Sequence, residues 1–346
     1  MSDRPLVTVA ITTYRRPELL RQSLESAVRQ TLEEIEIIVS DNGADEETAA
    51  VVSSLDDARV AYAPLEENIG LYGNLNRSLR LGTAPYLQIL QDDDLLLPAS
   101  IERKLARIES DPGLAIVHSA HSVIDASGRV LHPAVNWSLA EADWELDGPT
   151  FIRRSLAAGV FFHISTALLR RSYVVDEEFE PVGGYCDLGV WLRVASRGGR
   201  IGYVHEPLSA IREHASSLSA EQGLHVRRDA GADDGEVDTQ TIEQVRQMQL
   251  VRRRFLDREG AELPDRNGLW AASRRDARRR LARVIVKDAV FQGSFRRTLE
   301  RLREARSLEP RIAVSLWPLV ALAVAAGGRP AGRAVSFLAA RVRARR

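Results

Sequence analysis

Three consecutive acidic residues, Asp92, Asp93 and Asp94, are the part of this sequence with the clearest capacity for chemistry. They follow an apolar stretch from Tyr86 to Gln91, and three adjacent carboxylates repel one another unless a cation or solvent screens them. Carboxylate oxygens are preferred ligands of Mg²⁺ and Mn²⁺, and Mg²⁺ usually combines one or two of them with a substrate's phosphates. A solvated turn before a helix N-terminus also favours Asp, so the triplet alone leaves a metal site and a structural turn equally open.

The segments around this triplet alternate between strand and helix patterns. Apolar runs predict strands at 6–11, 36–40, 60–63 and 86–90, and helical spacing predicts helices at 17–30, 46–55, 74–81 and 98–110. This alternation indicates an α/β fold whose sheet is mostly parallel and carries helices on both faces. Polar clusters beginning at Thr12, Asp41 and Asp92 each follow a strand. Because ligands bind beyond the carboxyl ends of such strands, we expect the three clusters to meet.

The second half of the chain predicts further strands at 115–124, 160–169 and 200–204 and a helix at 187–196, with an irregular stretch at 131–149. Residues 221–240 are polar and rich in Gly and Asp, which predicts a flexible loop or linker. Helical segments follow at about 241–258, 269–289 and 294–307. We therefore expect an α/β domain over residues 1–220, a linker over 221–240 and a helical, Arg-rich region over 241–346.

Composition places the chain among ordinary globular proteins. It has 346 residues, 45% hydrophobic and 27% charged, which fits one large domain with an appendage. The single cysteine, Cys186, excludes a disulfide scaffold and fits a reducing compartment. Neither a signal peptide nor a long uninterrupted apolar stretch is apparent, so we expect a cytoplasmic protein without a transmembrane helix.

Charge is distributed unevenly along the chain, although the formal net charge is only −1. Residues 251–346 hold 24 Lys and Arg against 9 Asp and Glu, a balance of +15, and the preceding 250 residues carry −16. A basic, partly apolar tail over 312–346 suits attachment to the anionic inner face of a membrane, and equally suits a helical cap with a solvated basic face. Nucleic acid is not expected as a partner, because few aromatic residues lie among the arginines.

Five segments of the chain, in order, resemble family 2 glycosyltransferases of the GT-A fold. Residues 7–20 are similar to the opening strand and loop of that family, 37–43 to its second strand, and 86–98 to its metal-binding strand end. Residues 187–193 are similar to the helix that carries its catalytic carboxylate, and 211–214, with the serines at 216, 217 and 219, to its closing R-x-H segment. The resemblance covers residues 5–219. It implies a GT-A-like α/β fold with a mixed, mostly parallel sheet, preceding the helical C-terminal region.

The resemblance also implies a nucleotide-sugar site. Thr12 and Tyr14 would line the base and ribose, and Asp41 would accept a hydrogen bond from the imide N–H of uracil or thymine. Asn76 would lie near the nucleotide. Ordinary structural roles compete with these assignments, since Asp41 also suits a turn and Asn76 also suits an exposed helical position.

The resemblance implies a metal site beside it. Asp92 would contact the donor's ribose, Asp93 and Asp94 would bind Mg²⁺ or Mn²⁺, and Arg212 and His214 would contact the diphosphate or the metal. Gln91 stands where the family's acidic pattern usually starts. That departure leaves the identity of the leading ligand open, and Asp93 is the position that matches the family's metal-binding Asp.

Asp187 is the residue that the resemblance implies as the general base, which would take the proton from the acceptor hydroxyl. Family members often have Glu before this position and Asp two residues after it, where this chain has Cys186 and Gly189. The structural alternative for Asp187 is the N-cap of the helix that follows. Cys186 is not expected to be a nucleophile, because no histidine base is apparent beside it.

The reaction implied is an inverting, single-displacement transfer from a UDP- or dTDP-sugar to an acceptor hydroxyl. The acceptor would be a saccharide or a lipid-linked saccharide in the assembly of a cell-surface polysaccharide or glycolipid. A nucleotidyltransferase is one rival, but it should carry a Gly-rich, basic triphosphate loop near the first strand, and residues 12–14 do not form one. A catalytically inactive carbohydrate-binding or scaffold protein of the same fold is the other rival; the intact acidic triplet argues against it.

Overall fold

The computed structural model describes residues 4–135, 142–158, 160–213, 242–263, 265–292 and 295–309. The strands are β1 (Val7–Thr13), β2 (Ile35–Asp41), β3 (Val60–Pro64), β4 (Tyr86–Gln91), β5 (Leu95–Leu96), β6 (Leu114–Ile124), β7 (Val130–Val135), β8 (Trp144–Leu146), β9 (Ala167–Arg170) and β10 (Arg200–Arg212). The helices are α1 (Pro17–Val28), α2 (Glu46–Ser53), α3 (Gly70–Ser78), α4 (Ser100–Glu109), α5 (Gly148–Ala158), α6 (Arg171–Val174), α7 (Cys186–Ser196), α8 (Ile242–Arg258), α9 (Arg266–Gln292) and α10 (Phe295–Leu308).

The strands form one mixed sheet in the order β3-β2-β1-β4-β9-β6-β10-β5, with β7 paired to β6 and β8 paired to β10. The four strands β3, β2, β1 and β4 are mutually parallel, as the alternating sequence pattern predicts. Strand β9 is inserted antiparallel between β4 and β6, and β6 pairs parallel with β10. The carboxyl ends of β1, β2 and β4 therefore share one edge of the sheet.

Helices cover both faces of the sheet and bury two apolar clusters. Successive residues of a strand point to opposite faces, so Val9 and Ile11 of β1 belong to one cluster while Ala10 belongs to the other. Helix α1 packs on the first cluster through Leu20 and Leu24, and Pro17 at its first turn favours its start there.

Helix α8 belongs to the second cluster, together with α5 and α7. Met248, Val251 and Phe255 of α8 are buried in the same core as Trp191 of α7. The first C-terminal helix is therefore part of the core that supports α7. Within the described part of the chain, no helix is long and apolar enough to cross a membrane.

Three expectations about local structure were wrong. The run at 160–169 is not one strand: a 3₁₀ turn occupies Ile164–Thr166, and only Ala167–Arg170 pairs in the sheet. Polar side chains there satisfy the backbone locally, because the Thr166 hydroxyl donates to the His163 carbonyl (2.6 Å). The irregular stretch at 131–149 contains most of β7, all of β8 and the start of α5, and β10 continues to Arg212, past a register shift at Pro207.

Candidate active site

The carboxyl ends of β1, β2 and β4 bring the polar clusters together, so the expected convergence is confirmed. In the parallel ladders, Thr13 lies opposite Asp41 and Thr12 lies opposite Gln91. The pairing continues past the end of β4, where the Asp92 N–H donates to the Thr12 carbonyl (3.2 Å). We call this border of the sheet, comprising residues 12–14, 41–43 and 92–94, the acidic edge.

Asp92 and Asp93 both face Arg16 at the acidic edge. Arg16 Nη1 lies 3.5 Å from Asp92 Oδ1 and 3.4 Å from Asp93 Oδ2. Asp92 also accepts hydrogen bonds from the Thr13 hydroxyl (2.8 Å) and the Tyr14 N–H. Burial and the charge of Asp93 nevertheless raise the pKa of Asp92 to about 7, against the opposing effect of Arg16. The three carboxylates are therefore only partly compensated by the protein itself.

Asp94 is the most deeply buried of the three carboxylates. Its Oδ1 accepts from the Arg212 N–H at 3.0 Å, whereas its Oδ2 has no hydrogen-bond partner and lies 3.6 Å from His163 Nδ1. Burial and the charge of Asp93 raise the pKa of Asp94 well above its ordinary value. A buried carboxylate oxygen without a donor is unfavourable, and a bound cation would relieve it.

Asp93 and Asp94 are the residues of the acidic edge that could hold a divalent cation. The side chain of Asp93 is 12% exposed, more than those of Asp92 (8%) and Asp94 (2%), and Asp94 offers its unpartnered Oδ2. Among the residues described, no group of three Asp, Glu, His or Cys side chains is arranged around one metal position. Two carboxylates would suffice if water and a nucleotide's phosphates completed the coordination, as is usual for Mg²⁺. His214, the other expected ligand, lies outside the described residues.

Arg212 holds the backbone around the triplet through hydrogen bonds of its side chain. Its guanidinium donates to the carbonyls of Asp93 (2.9 Å), Asp125 (3.0 Å) and Ala126 (3.2 Å) and to the side-chain oxygen of Gln22 (2.8 Å). The residue is only 4% exposed. The resemblance to family 2 glycosyltransferases implied that Arg212 contacts the donor. In the structure its side-chain donors are engaged by the protein, which indicates that it positions the triplet.

Asp41 and Tyr14 lie together at the other end of the acidic edge. The Asp41 carboxylate is buried and accepts from the Gly43 N–H (3.2 Å), the Asp45 N–H (3.0 Å) and the Tyr62 hydroxyl (2.6 Å). Three donors leave about one of its four acceptor positions for a ligand. Tyr14 packs beside Gly43 and is 39% exposed, and the Arg15 guanidinium lies 5.3 Å from the centre of its ring.

Thr12 and Asn76, the remaining nucleotide candidates, are embedded more deeply in the fold. Thr12 is 6% exposed within β1. The Asn76 amide donates to the Phe179 carbonyl (3.2 Å) and accepts from the Phe179 N–H (2.6 Å). Both polar atoms of Asn76 are therefore engaged with the segment that leads into α7.

Asp187 lies in the first turn of α7, one residue inside the helix. The helix begins at Cys186 and has Tyr185 at its N-cap, so Asp187 is not the N-cap that the sequence offered as an alternative. Its carboxylate accepts from the N–H groups of Leu188 (2.8 Å) and Ile164. Burial raises the pKa of Asp187 to about 6, against the opposing effect of His163. A carboxylate with such a pKa suits proton transfer near neutral pH.

Residues 163–165, which we call the bridge, connect Asp187 to the acidic edge. His163 Nδ1 lies 3.6 Å from Asp94 Oδ2, the Ile164 N–H donates to Asp187, and the Ser165 hydroxyl accepts from the Gln91 N–H (3.3 Å) beside the acidic edge. Burial lowers the pKa of His163, although the charges of Asp187 and Asp93 act in the opposite direction. The bridge was not predicted from the sequence, because it lies inside the run interpreted as a strand. The available signal was the group of polar residues, His163, Ser165 and Thr166, that follows two phenylalanines.

Comparison with known proteins identifies a family for the part of the chain that contains the acidic edge and the bridge. Residues 8–179, about half of the chain, match the family model described as glycosyl transferase family 2. The chain is 29% identical over 179 residues to the GalNAc(5)-diNAcBac-PP-undecaprenol beta-1,3-glucosyltransferase of Campylobacter jejuni, which covers 51% of this chain and 56% of that protein. The matched part of this chain spans between 27% and 66% of the length of four other curated relatives.

Solved structures agree on the fold. Staphylococcus aureus TarS 1–349 in complex with UDP-GlcNAc has a TM-score of 0.59 at 14% identity, over 97% of this chain and 91% of that one. The mannosyltransferase PcManGT from Pyrobaculum calidifontis, in complex with GDP-Man and Mn²⁺, has a TM-score of 0.53 at 16% identity, over 98% and 81% of the two chains. The GT-A-like α/β fold implied by the sequence is thereby confirmed.

Proposed function

Because this chain belongs to glycosyltransferase family 2, we propose that it is an inverting, metal-dependent enzyme that transfers a sugar from a UDP- or dTDP-sugar to an acceptor hydroxyl. The observation that carries the proposal is the joining of Asp187 to the acidic edge through the bridge. A site for a nucleotide diphosphate and a carboxylate suited to proton transfer then lie on either side of one short segment.

The donor end of the proposed site is the acidic edge. The exposed ring of Tyr14 offers a stacking surface for a base, and Asp41 retains an acceptor position for an imide N–H. A divalent cation at Asp93 and Asp94 would neutralise the charge that develops on the departing diphosphate. Bound UDP-GlcNAc in TarS and Mn²⁺ in PcManGT support this assignment of donor class and cofactor.

The acceptor end is Asp187. In a single displacement, the acceptor oxygen attacks the anomeric carbon, the bond from that carbon to the phosphate oxygen breaks, and Asp187 takes the acceptor's proton. The configuration at the anomeric carbon inverts because only one displacement occurs. The name of the Campylobacter relative includes an undecaprenol-linked saccharide, which supports a saccharide or lipid-linked acceptor for this chain as well. The basic balance of residues 251–346 suits an enzyme held at the inner face of a membrane.

Metal-dependent donor binding tests the proposal. We expect UDP to bind in the presence of Mg²⁺ or Mn²⁺ and to bind at least tenfold more weakly in EDTA, because about two carboxylates and the phosphates share the ion. Calorimetric titration of the wild type, Asp93→Ala and the control Asp56→Ala, an exposed carboxylate elsewhere, measures this. Nucleotide binding that is indifferent both to EDTA and to Asp93→Ala would rule out the metal role. Thermal stabilisation by a panel of UDP-, dTDP- and GDP-sugars then selects the donor.

A further inference from the structure

We infer that His163 binds the donor's transferred sugar, with its Nε2–H donating a hydrogen bond to a sugar oxygen. This inference rests on the proposed function and adds a substrate contact to it. The bridge joins the carboxylates at the diphosphate end, Asp93 and Asp94, to the carboxylate at the acceptor end, Asp187. In a displacement reaction the transferred sugar must lie between its diphosphate and its acceptor, so the bridge is the segment beside which the sugar passes.

The hydrogen bond from the Ser165 N–H indicates which nitrogen of the neutral His163 ring carries the proton. Nδ1 accepts from the Ser165 N–H at 3.3 Å, which requires an unprotonated Nδ1. The neutral ring then carries its hydrogen on Nε2. Among the described residues, the polar contacts found for the ring involve Nδ1 only, and the side chain is 27% exposed. Nε2–H is thus a donor available to a ligand, on a ring whose other nitrogen is held by the backbone.

The bridge is held firmly enough to present this donor in one place. The His163 carbonyl accepts from the Thr166 N–H (2.9 Å) and hydroxyl (2.6 Å). The Ser165 carbonyl accepts from Gln88 Nε2 and from the Ser209 hydroxyl, both at 3.1 Å, and Ser165 is fully buried. Positioning by buried hydrogen bonds reduces the entropy lost when a ligand binds, which is the property expected of a specificity-determining contact.

A purely structural role for His163 makes a different prediction from a sugar contact, and two amide substitutions separate them. Asn places an amide oxygen near the position of Nδ1 and keeps the acceptor for the Ser165 N–H. Gln places an amide nitrogen near the position of Nε2 and keeps the donor towards the ligand. A structural role is rescued by Asn, whereas a sugar contact is rescued by Gln.

The experiment compares wild type, His163→Asn, His163→Gln and the exposed control His205→Asn. Affinities for UDP and for the tighter-binding of UDP-glucose and UDP-GlcNAc are measured with Mn²⁺, alongside turnover and melting temperature. We expect His163→Asn to weaken nucleotide-sugar binding by roughly tenfold, the effect of one lost hydrogen bond, and to leave UDP binding unchanged. For His163→Gln, the affinities for the nucleotide-sugar and for UDP should both stay within about threefold of the wild-type values.

Three results would overturn the inference. The first is that Asn at position 163 preserves nucleotide-sugar affinity and Gln does not, and the second is that His163→Asn weakens UDP and nucleotide-sugar binding equally. The third is that the wild type binds the nucleotide-sugar no more tightly than UDP. Parallel measurements on Asp93→Ala and Asp187→Asn separate this inference from the proposed function. If those two variants are impaired and the His163 variants are normal, only the sugar contact is wrong. If all of them are normal, the proposed function fails as well.

Discussion

At the scale of single residues, the acidic edge is a place where folding and ligand binding have opposed requirements. Asp92 is buried beside Asp93, and its charged form is disfavoured despite Arg16 and two hydrogen bonds. Such an arrangement is unfavourable for the free protein, and a cation with its nucleotide would relieve it.

The raised pKa of Asp92 predicts a pH-dependent stability. Its pKa is about 7 in the folded protein, against about 3.9 in an unfolded chain. The folded state therefore binds more protons than the unfolded state between about pH 4 and 7, and the free energy of unfolding falls as pH rises through that window. Asp92→Asn removes this contribution. In EDTA, its melting temperature relative to wild type should rise from pH 5 to pH 8.

An exposed acidic residue provides the control for that comparison. The difference in melting temperature between Asp56→Asn and wild type should not change over the same pH range, since Asp56 is exposed. If the difference in melting temperature between Asp92→Asn and wild type is equally independent of pH, the charge of Asp92 does not destabilise the folded protein.

Some of these residues could be predicted from the sequence and others could not. The triplet directly follows a recognisable strand, so its residue types and position indicated a site, whereas Asp187 was implied by the resemblance to the family. Arg16 and His163 matter through contacts made in three dimensions: Arg16 reaches the triplet from a loop in which Arg15 has a φ of 52°, and His163 lies in a turn concealed within an apolar run.

At the scale of elements, the loop before α7 is held by two helices far apart in sequence. The Gly183 N–H donates to the Tyr72 hydroxyl of α3 (3.1 Å), and the Gly184 N–H donates to Gln247 Oε1 of α8 (3.1 Å). Gly183 has a φ of +85°, which disfavours any other residue. The start of the helix that carries Asp187 is thus fixed from both sides.

This clamp predicts a graded loss of stability. Gly183→Ala introduces about 1–2 kcal/mol of backbone strain, and its Cβ would also lie 2.4 Å from the Gln247 side chain. Gly198→Ala is the matched control, since it has a similar φ of +88° and no neighbouring atom within 4 Å. We expect Gly183→Ala to lower the melting temperature more than Gly198→Ala does.

A double variant identifies the origin of the difference. Removing the Gln247 side chain in Gly183→Ala/Gln247→Ala should relieve the clash and recover part of the loss beyond that of Gly198→Ala. Equal melting temperatures for Gly183→Ala and Gly198→Ala would contradict a close contact between Gln247 and the loop.

The elements themselves were predictable where one physical signal dominates. Helix α1 starts at Pro17 and buries residues spaced by three and four, and β1, β2 and β4 are short apolar runs. The prediction of one strand over residues 160–169 was wrong because local side-chain hydrogen bonds outweighed the apolar pattern of that run. Helix α5 was missed because its start, Gly148-Pro149, has the composition of a turn.

At the scale of the whole molecule, the C-terminal helices are joined to the α/β region through its core. Arg252 of α8 is fully buried; it donates to Asp276 of α9 (2.9 Å) and to the Ser155 carbonyl of α5 (2.6 Å). The sequence indicated a basic region distinct from an acidic body, because charge balance is visible in a sequence and the packing of α8 against α7 is not. We propose that residues 242–292 fold as one unit with the α/β region and support the helix that carries Asp187.

The central claim is that this assembly makes Asp187 the general base of a glycosyl transfer. Asp187→Asn keeps the shape of the side chain and an oxygen for the Leu188 N–H, but removes the proton acceptor. A general base acts in the transition state far more than in donor binding, so turnover at saturating donor should fall by roughly 10²–10⁴-fold. Donor affinity and melting temperature should stay close to wild type.

The most direct measurement is therefore turnover of wild type and Asp187→Asn with the donor selected by the nucleotide-sugar panel, across pH 5 to 8. Wild-type turnover should decline as pH falls through about 6, the pKa of Asp187, because the protonated carboxyl cannot accept the acceptor's proton. The residual turnover of Asp187→Asn should lack this decline. A folded Asp187→Asn protein with near-normal turnover and an unchanged pH profile would contradict the account.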